Sequence, residues 1–180
     1  MSEEFKFRRI RIQPLGYVNR KIIDYLQAEL SGIFGSAEIL KPLEINRRCF
    51  DSIRRRYIST CLLRSYEVDG TTLFVTEHDL FADNLNFVFG EAELGGMRAI
   101  ISLFRLKPEL YGEKNDDLFR ERALKEAVHE LGHVFGLKHC NNIFCVMRFS
   151  NSIIEVDLKD WRFCSFCLGV LERKGILVKQ

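Results

Sequence analysis

The chain has 180 residues, of which 47% are hydrophobic and 29% are charged, and its formal net charge is +2. This length and composition are typical of one globular domain with a sizeable core and exclude a disordered chain. The balanced charge argues against nucleic acid or an anionic membrane as the main partner.

The first nine residues carry charges with no apolar stretch behind them, so they do not resemble a signal peptide. No apolar run approaches the roughly 20 residues that are needed to span a bilayer. We therefore expect a cytoplasmic, monomeric protein. Thiols in the cytosol stay mostly reduced, which favours metal binding over disulfides for the six cysteines, although hyperthermophiles are an exception.

The N-terminal third has the pattern of a parallel crossover unit. Alternation of apolar and basic residues predicts a strand over Phe5–Ile12, which Pro14 and Gly16 should end. Apolar residues at helical spacing predict a helix over Val18–Ile33. A short second strand is expected over Ala37–Leu40. Strand, helix and strand in this order favour two parallel strands joined by the helix.

Residues 44–66 are less regular. They contain a basic cluster formed by Arg47, Arg48, Arg54, Arg55 and Arg56. We interpret this cluster as a solvated surface because the overall charge is near neutral; the alternative is a role in holding a substrate carboxylate or a nucleic acid. Tyr57–Leu63 should form one or two helical turns. Cys49 and Cys61 are isolated in the sequence, so we expect core or partly buried thiols.

Three further strands are predicted in the middle of the chain. Leu73–Thr76 is apolar, Asn86–Ala92 has the pattern of one strand, and Arg98–Phe104 is a buried strand rich in isoleucine. His78 is the only histidine outside the main motif of the chain. Since no ligand spacing recurs near it, we expect a surface or capping residue.

A long helix should begin at Asn115, Asp116 and Asp117, because capping and acidic side chains stabilise a helix start. Its apolar stripe should pack on the sheet and consists of Leu118, Ala123, Leu124, Ala127, Val128, Leu131, Val134 and Phe135. The last predicted helix covers Leu158–Lys174 and is preceded by Asp157.

The long helix carries the pattern His-Glu-x-x-His-x-x-Gly-x-x-His. Positions i and i+4 share one helix face, so His129 and His133 can hold one metal ion. Glu130 lies next to that ion and can take a proton from a zinc-activated water. Gly136 can adopt the left-handed conformation that turns the chain back and brings His139 in as a third ligand. Three imidazoles leave one position open, which is typical of a catalytic zinc.

Four cysteines form a second constellation, Cys140-x4-Cys145 and Cys164-x2-Cys167. Their number and spacing indicate a closed, structural zinc site, with two disulfides or free core thiols as the alternatives. Because Cys140 directly follows His139, we infer that this second zinc fixes the loop that delivers the third histidine.

Met147 follows Cys145 by two residues and resembles the methionine of the tight turn beneath the metal of metzincins. Together these features resemble the archaemetzincins, and the segments Phe87–Gly90 and Asp79–Leu80 do so as well. The combination that carries the resemblance is His129-Glu130-x-x-His133-x-x-Gly136-x-x-His139-Cys140, Cys145-x-Met147 and Cys164-x-x-Cys167.

The resemblance implies an α/β (α+β) metzincin-like fold: a twisted, mixed five-stranded sheet with the active-site helix and a small C-terminal zinc-stabilised subdomain. One catalytic domain would cover residues 1–180, with subdomains of about 1–136 and 137–180. By analogy, the strand at Asn86–Ala92 would be the antiparallel edge strand that borders the cleft, to which an extended peptide could add.

We therefore predict a zinc-dependent metallopeptidase with two Zn²⁺ per chain. The first is held by His129, His133 and His139, with Glu130 as general base, and acts on a peptide or protein substrate. The second is held by the four cysteines. The alternative is a zinc-stabilised peptide-binding module with little or no proteolytic activity. A third possibility is hydrolysis of another amide, since zinc and a glutamate suit any amide.

Overall fold

The structure, a computed structural model, describes residues 8–82 and 84–180. Over these residues the chain forms nine strands and five α-helices. Strand β1 (Arg8–Leu15) is joined to the parallel strand β2 (Gly35–Ile39) by helix α1 (Arg20–Phe34), which confirms the predicted crossover unit. The predicted start of the first strand, at Phe5, lies outside the described residues.

Strand β1 continues through Pro14 to Leu15, so the prediction that Pro14 ends it was wrong. The Pro14 carbonyl accepts a hydrogen bond from the Leu43 N–H at 3.0 Å, on the side where β2 has already ended at Ile39. A residue's N–H and C=O point to the same side of a strand, so the missing donor of Pro14 breaks no ladder bond there.

The central sheet has five strands in the order β2-β1-β5-β9-β8, with β5 at Thr72–Thr76, β8 at Gly90–Ala92 and β9 at Arg98–Ser102. Neighbours are parallel except for β8, which pairs antiparallel with β9 and forms one edge. The structure thus confirms the mixed five-stranded sheet, and its antiparallel edge strand is the part of the predicted strand that begins at Gly90.

Side chains of the central strands alternate between two hydrophobic clusters. Leu73 and Val75 of β5 face the cluster that contains α1 and the long helix α3 (Asp116–Val134), whereas Phe74 faces the cluster of the smaller second sheet. Helix α3 packs on β9, β8 and α1. Its first turn begins as predicted, because the Asn115 side chain accepts a hydrogen bond from the Leu118 N–H at 3.0 Å.

The second sheet has the strand order β3-β4-β6-β7. Its strands cover Phe50–Asp51, Arg56–Ile58, Leu80–Ala82 and Leu85–Val88. The single strand predicted over Asn86–Ala92 is therefore wrong: β7 and β8 belong to different sheets, and buried Phe89 lies between them. The predicted turns near Tyr57 form helix α2 (Ser59–Arg64), which begins two residues later than expected.

Cys49 and Cys61 form a disulfide, with Cα atoms 5.5 Å apart, so the prediction of free thiols was wrong. Cys49 ends a short 3-10 turn and Cys61 lies in α2. The fold brings these two elements together, and neither residue carries a local signal of the pairing.

Four of the five arginines in the basic cluster are exposed; Arg56 instead pairs with Asp79 at 2.8 Å.

The C-terminal part contains two helices, α4 (Ile153–Leu158) and α5 (Ser165–Arg173), where one helix was predicted. Helix α4 begins early because Ser152 and Glu155 form a capping box. The chain is not helical from Lys159 to Cys164, and Cys164 is the residue that immediately precedes α5. Among the described residues, no helix is long and apolar enough to cross a membrane.

Candidate zinc site

The three histidines of the motif converge on one point and form the histidine cluster, His129, His133 and His139. One potential ligand atom from each lies within 4.8 Å of the others, and the Nε2 atoms of His129 and His133 are 3.2 Å apart. Zinc–nitrogen distances of about 2.0–2.1 Å in a tetrahedral site place two nitrogens about 3.3–3.4 Å apart. The observed spacing therefore suits one zinc ion.

Two carbonyl groups orient the helical imidazoles. The Nδ1–H of His129 donates to the Val146 carbonyl at 2.7 Å, and the Nδ1–H of His133 donates to the Leu137 carbonyl at 2.7 Å. A carbonyl can only accept, so the proton of each neutral ring lies on Nδ1. The lone pair of each Nε2 then faces the cluster, as metal binding requires.

Burial keeps the histidine cluster in its metal-binding form. Desolvation lowers the pKa of His129 well below its ordinary value, because its side chain is almost fully buried. The same cause lowers the pKa values of His133 and His139. A lowered pKa favours the neutral imidazole, which is the state that binds a metal ion.

Gly136 turns the chain so that His139 returns towards helix α3. Its φ of 87° lies in the left-handed region, and its N–H donates to the His133 carbonyl at 2.8 Å. The N–H of Leu137 donates to the Gly132 carbonyl at 2.9 Å and closes the turn. The role that the sequence assigned to this glycine is thereby confirmed in its backbone geometry.

The Glu130 carboxylate faces the same cavity as the histidine cluster. The cavity has a volume of about 790 Å³ and is bordered by β7, β8, helix α3 and residues 149–151. Glu130 is only 4% exposed, and its carboxylate has no hydrogen-bond partner among the described residues. Burial, and then the charges of Glu126 and Glu91, raise its pKa well above the ordinary value, while Lys159 opposes this shift.

Four free thiols form the cysteine cluster, Cys140, Cys145, Cys164 and Cys167. The Sγ atoms of Cys140 and Cys164 are 3.8 Å apart, as are those of Cys145 and Cys167. Sulfurs at about 2.3 Å from a tetrahedral zinc lie about 3.8 Å from each other, so this spacing suits four thiolates on one zinc. The sulfurs are too far apart for the alternative of two disulfides.

Burial raises the pKa of the Cys145 thiol to about 11 and also raises that of Cys167. Without a cation, two of the four sulfurs are therefore held as thiols in apolar surroundings. A cation in the cluster would reverse that preference, because a coordinating thiol loses its proton. The donor set is soft and closed, which fits zinc better than an oxygen-seeking cation.

The two clusters are joined by one peptide bond between His139 and Cys140. The Cys140 N–H donates to the Met147 carbonyl at 2.9 Å, and Val146, which orients His129, precedes Met147. Met147 is fully buried, and its sulfur packs against Gly132 of helix α3 so closely that no Cβ would fit there. The loop that carries two cysteines thus lies directly beneath the histidine cluster.

His78 lies outside both clusters. It is exposed, and its ring packs against Tyr57 with the centroids 5.0 Å apart, which confirms the expected surface position.

Sequence reasoning missed a buried ion pair in the cavity wall. Lys159 Nζ lies 2.9 Å from Glu126 Oε1, and both side chains are almost inaccessible. Glu126 precedes Glu130 by one turn, so its position on the same helix face could have been noticed. Lys159 lies in the non-helical segment that was predicted to be helical, and nothing in the sequence marks it.

The resulting arrangement has three imidazoles on one point, an unpaired carboxylate beside them and an open cavity in front. These features define a zinc-dependent hydrolase. The closed four-thiol cluster next to them is a second candidate metal site.

Comparison with known proteins places the chain within one family. Peptidase family M54 matches residues 51–173. The chain is 54% identical to the archaemetzincin of Methanocaldococcus jannaschii over 172 residues, which cover 94% of this chain and 96% of that relative. The chain therefore belongs to Peptidase family M54, the archaemetzincins, and is a zinc metallopeptidase.

Two crystal structures of relatives have the same fold. Archaemetzincin from Archaeoglobus fulgidus, complexed with malonate, has a TM-score of 0.84 and 47% identity, covering 90% of this chain and 99% of that one. Archaemetzincin from Methanopyrus kandleri has a TM-score of 0.82 and 31% identity, covering 96% of each chain. The family resemblance of the sequence is thereby confirmed over nearly its whole length.

Proposed function

We propose that this chain hydrolyses peptide bonds, with one zinc held by His129, His133 and His139 and with Glu130 as the general base. One observation carries the proposal. The Glu130 carboxylate is nearly buried, has no hydrogen-bond partner among the described residues, and opens into the cavity that the three histidines share. A group in that position is free to exchange a proton with a reactant.

Zinc bound to the histidine cluster would supply Lewis-acid activation of a water molecule and of the substrate carbonyl. The chain itself supplies the proton transfer: a Glu130 oxygen accepts the proton of the attacking water and later delivers it to the leaving amine. A proton-transfer group of this kind contributes roughly 10²- to 10⁴-fold to the rate.

Strand β8 supports a peptide as the substrate. It is the edge of the central sheet, pairs only with β9 among the described strands, and borders the cavity with Gly90, Glu91 and Ala92. An extended peptide can bind such an edge through main-chain hydrogen bonds, which places one of its carbonyl groups beside Glu130.

A second zinc, held by Cys140, Cys145, Cys164 and Cys167, completes the proposal at two zinc ions per chain. The sulfur spacing of 3.8 Å and the closed donor set support a structural role for it. It would anchor the C-terminal subdomain, residues 137–180, on the N-terminal subdomain that contains helix α3. His139 would thereby be held in place. The cytoplasmic location and the monomeric state stay predictions.

Digestion of a peptide library, read by mass spectrometry, tests this proposal. The parent should cleave, and Glu130→Ala should keep its zinc but lose at least about 10²-fold in rate. Asp117→Ala is the matched control, because Asp117 lies in the first turn of the same helix and its side chain is 92% exposed, paired only with the partly exposed Arg120 among the described residues. Its rate should equal that of the parent.

Two outcomes contradict the proposal. If Glu130→Ala cleaves as fast as the parent, Glu130 is not the base. If the parent retains peptides from the library without cleaving any, the chain is a zinc-stabilised peptide-binding module. Cleavage of non-peptide amides alone would reassign the substrate class.

A further inference from the structure

The orientation of the Glu130 carboxylate has no explanation in hydrogen bonds. A general base has to stay close to the attacking water, and most catalytic carboxylates are held by donors. Glu130 has none among the described residues, although its side chain is nearly buried. Its position must therefore be fixed by the atoms against which it packs.

The backbone of Gly90, the first residue of β8, forms the surface beneath this carboxylate. A Cβ built on Gly90 would lie 2.6 Å from Glu130 Oε1 and 2.7 Å from Glu130 Cγ. Real Cβ atoms essentially never approach other atoms that closely. The Glu130 side chain thus occupies the volume that any side chain at position 90 would need.

The backbone conformation does not explain why this position is a glycine. Gly90 is not among the glycines with positive φ, in contrast to Gly136. An L-residue could therefore adopt the backbone conformation of position 90. What excludes a side chain is space, at the Glu130 carboxylate and also at the Ile100 carbonyl of β9, which would lie 2.7 Å from the same Cβ.

We propose that Gly90 is a positioning residue for the hydrolytic reaction: its missing side chain lets the Glu130 carboxylate lie directly against the cleft-edge strand, beside the bound peptide. This inference rests on the proposed role of Glu130. Strand β8 begins at Gly90, the residue at which its backbone meets Glu130 of helix α3.

Kinetics give the first test. Gly90→Ala should bind the same amount of zinc as the parent and lose about 10²-fold in kcat, the loss typical of a catalytic group displaced by about 1 Å. KM should stay within about threefold, because the peptide-binding backbone of β8 remains. Gly32→Ala in helix α1 is the matched control, since its added Cβ would have no atom within 4 Å apart from its chain neighbours and the local backbone of its own helix. It should keep both constants.

The contact itself is tested by a stability cycle that needs no activity. Gly90→Ala should lower the thermal unfolding midpoint in the parent. In the Glu130→Ala background, Gly90→Ala should lower the thermal unfolding midpoint by less than half as much, because the side chain that it would crowd is gone. The Ile100 carbonyl remains in both backgrounds, so crowding at β9 alone would give equal losses.

Each result decides the question. Equal losses of stability in the two backgrounds overturn the proposal, as does a raised KM with an unchanged kcat, or full activity of Gly90→Ala. If Gly90→Ala does not fold, the double variant decides: recovery of folding supports the contact, and failure assigns the clash to β9. Full activity of Glu130→Ala would instead show that Glu130 is not the general base. The stability cycle would still test whether Glu130 packs against Gly90.

Discussion

The histidine cluster and the cysteine cluster are adjacent in the chain, yet their surroundings differ. Two of the three histidines project from a 19-residue helix that packs on the central sheet, and they face an open cavity. The four cysteines lie in the loop after that helix and at the start of α5, where the chain has little regular structure. Three ligands leave a position for a reactant, and four fill the coordination of zinc.

This difference shows that ligand residues on a helix and ligand residues on a loop are held in position by different means. A helix holds its own backbone in place through its hydrogen bonds and its packing, but the His129 ring on it is still oriented by the Val146 carbonyl of the following loop. Residues 140–152 contain no helix or strand, so a loop there has few ways to hold His139 and the Val146 carbonyl in place. A structural metal bound by the cysteine cluster would supply what regular backbone otherwise provides.

The largest expected effect comes from the cysteine cluster. Cys167→Ser should lower the zinc content and destabilise the fold by several kcal/mol, since structural zinc contributes about 10–16 kcal/mol of apparent binding free energy in small domains. Hydrolysis should fall with it, because His139 loses its anchor. Metal analysis and thermal unfolding measure both. Two zinc ions per chain and an unchanged unfolding midpoint would contradict the structural role.

His133→Ala should do the opposite: it removes activity and spares the fold. We expect one zinc per chain instead of two and a loss of roughly 10³-fold or more in hydrolysis, because several kcal/mol of Lewis-acid catalysis disappear. Circular dichroism should stay that of the parent. His78→Ala, outside both clusters, is the control and should keep both zinc ions. A zinc content of two in His133→Ala would exclude His133 as a ligand.

The Cys49–Cys61 disulfide should stabilise the second sheet independently of either metal. Replacing both cysteines with serine should cost about 3 kcal/mol in the free energy of unfolding, as expected for a short loop of sequence separation 12. Denaturant unfolding with and without reductant measures it. Reductant should destabilise the parent and leave the double variant unchanged, with no loss of zinc from either protein. Equal sensitivity of the two proteins to reductant would show that the disulfide contributes nothing.

The smallest effect is a difference in the rates of zinc loss. A chelator should remove the zinc of the histidine cluster about tenfold faster, or more, than that of the cysteine cluster, because the first site is open to solvent. Activity should therefore disappear when one of the two zinc ions per chain has been removed, and it should return when zinc is added back. Simultaneous loss of both ions would contradict the distinction between an open and a closed site.

The sequence predicts the two clusters because their ligands are local. His129 and His133 are one helical turn apart, and each cysteine pair spans only a few residues. The Cys49–Cys61 pairing could not be predicted, since only the folded second sheet brings the two elements together.

The predicted element boundaries were wrong where one apolar pattern continues through two separate strands. Phe87 and Phe89 alternate as in a single strand, but β7 and β8 belong to different sheets. The roles of two further residues follow from tertiary contacts and not from the local sequence. Gly90 matters because helix α3 passes over it, and Lys159 because Glu126 lies opposite. Neither relation leaves a periodic or spacing signal in the chain.

The peptide bond between His139 and Cys140 has a thermodynamic consequence. If zinc at the cysteines raises the affinity of the histidines by some factor, zinc at the histidines must raise the affinity of the cysteines by the same factor, because binding free energies at linked sites are reciprocal. The open site would then help to retain the closed one. A chain that lost its catalytic ion would hold its structural ion less tightly, by that same factor.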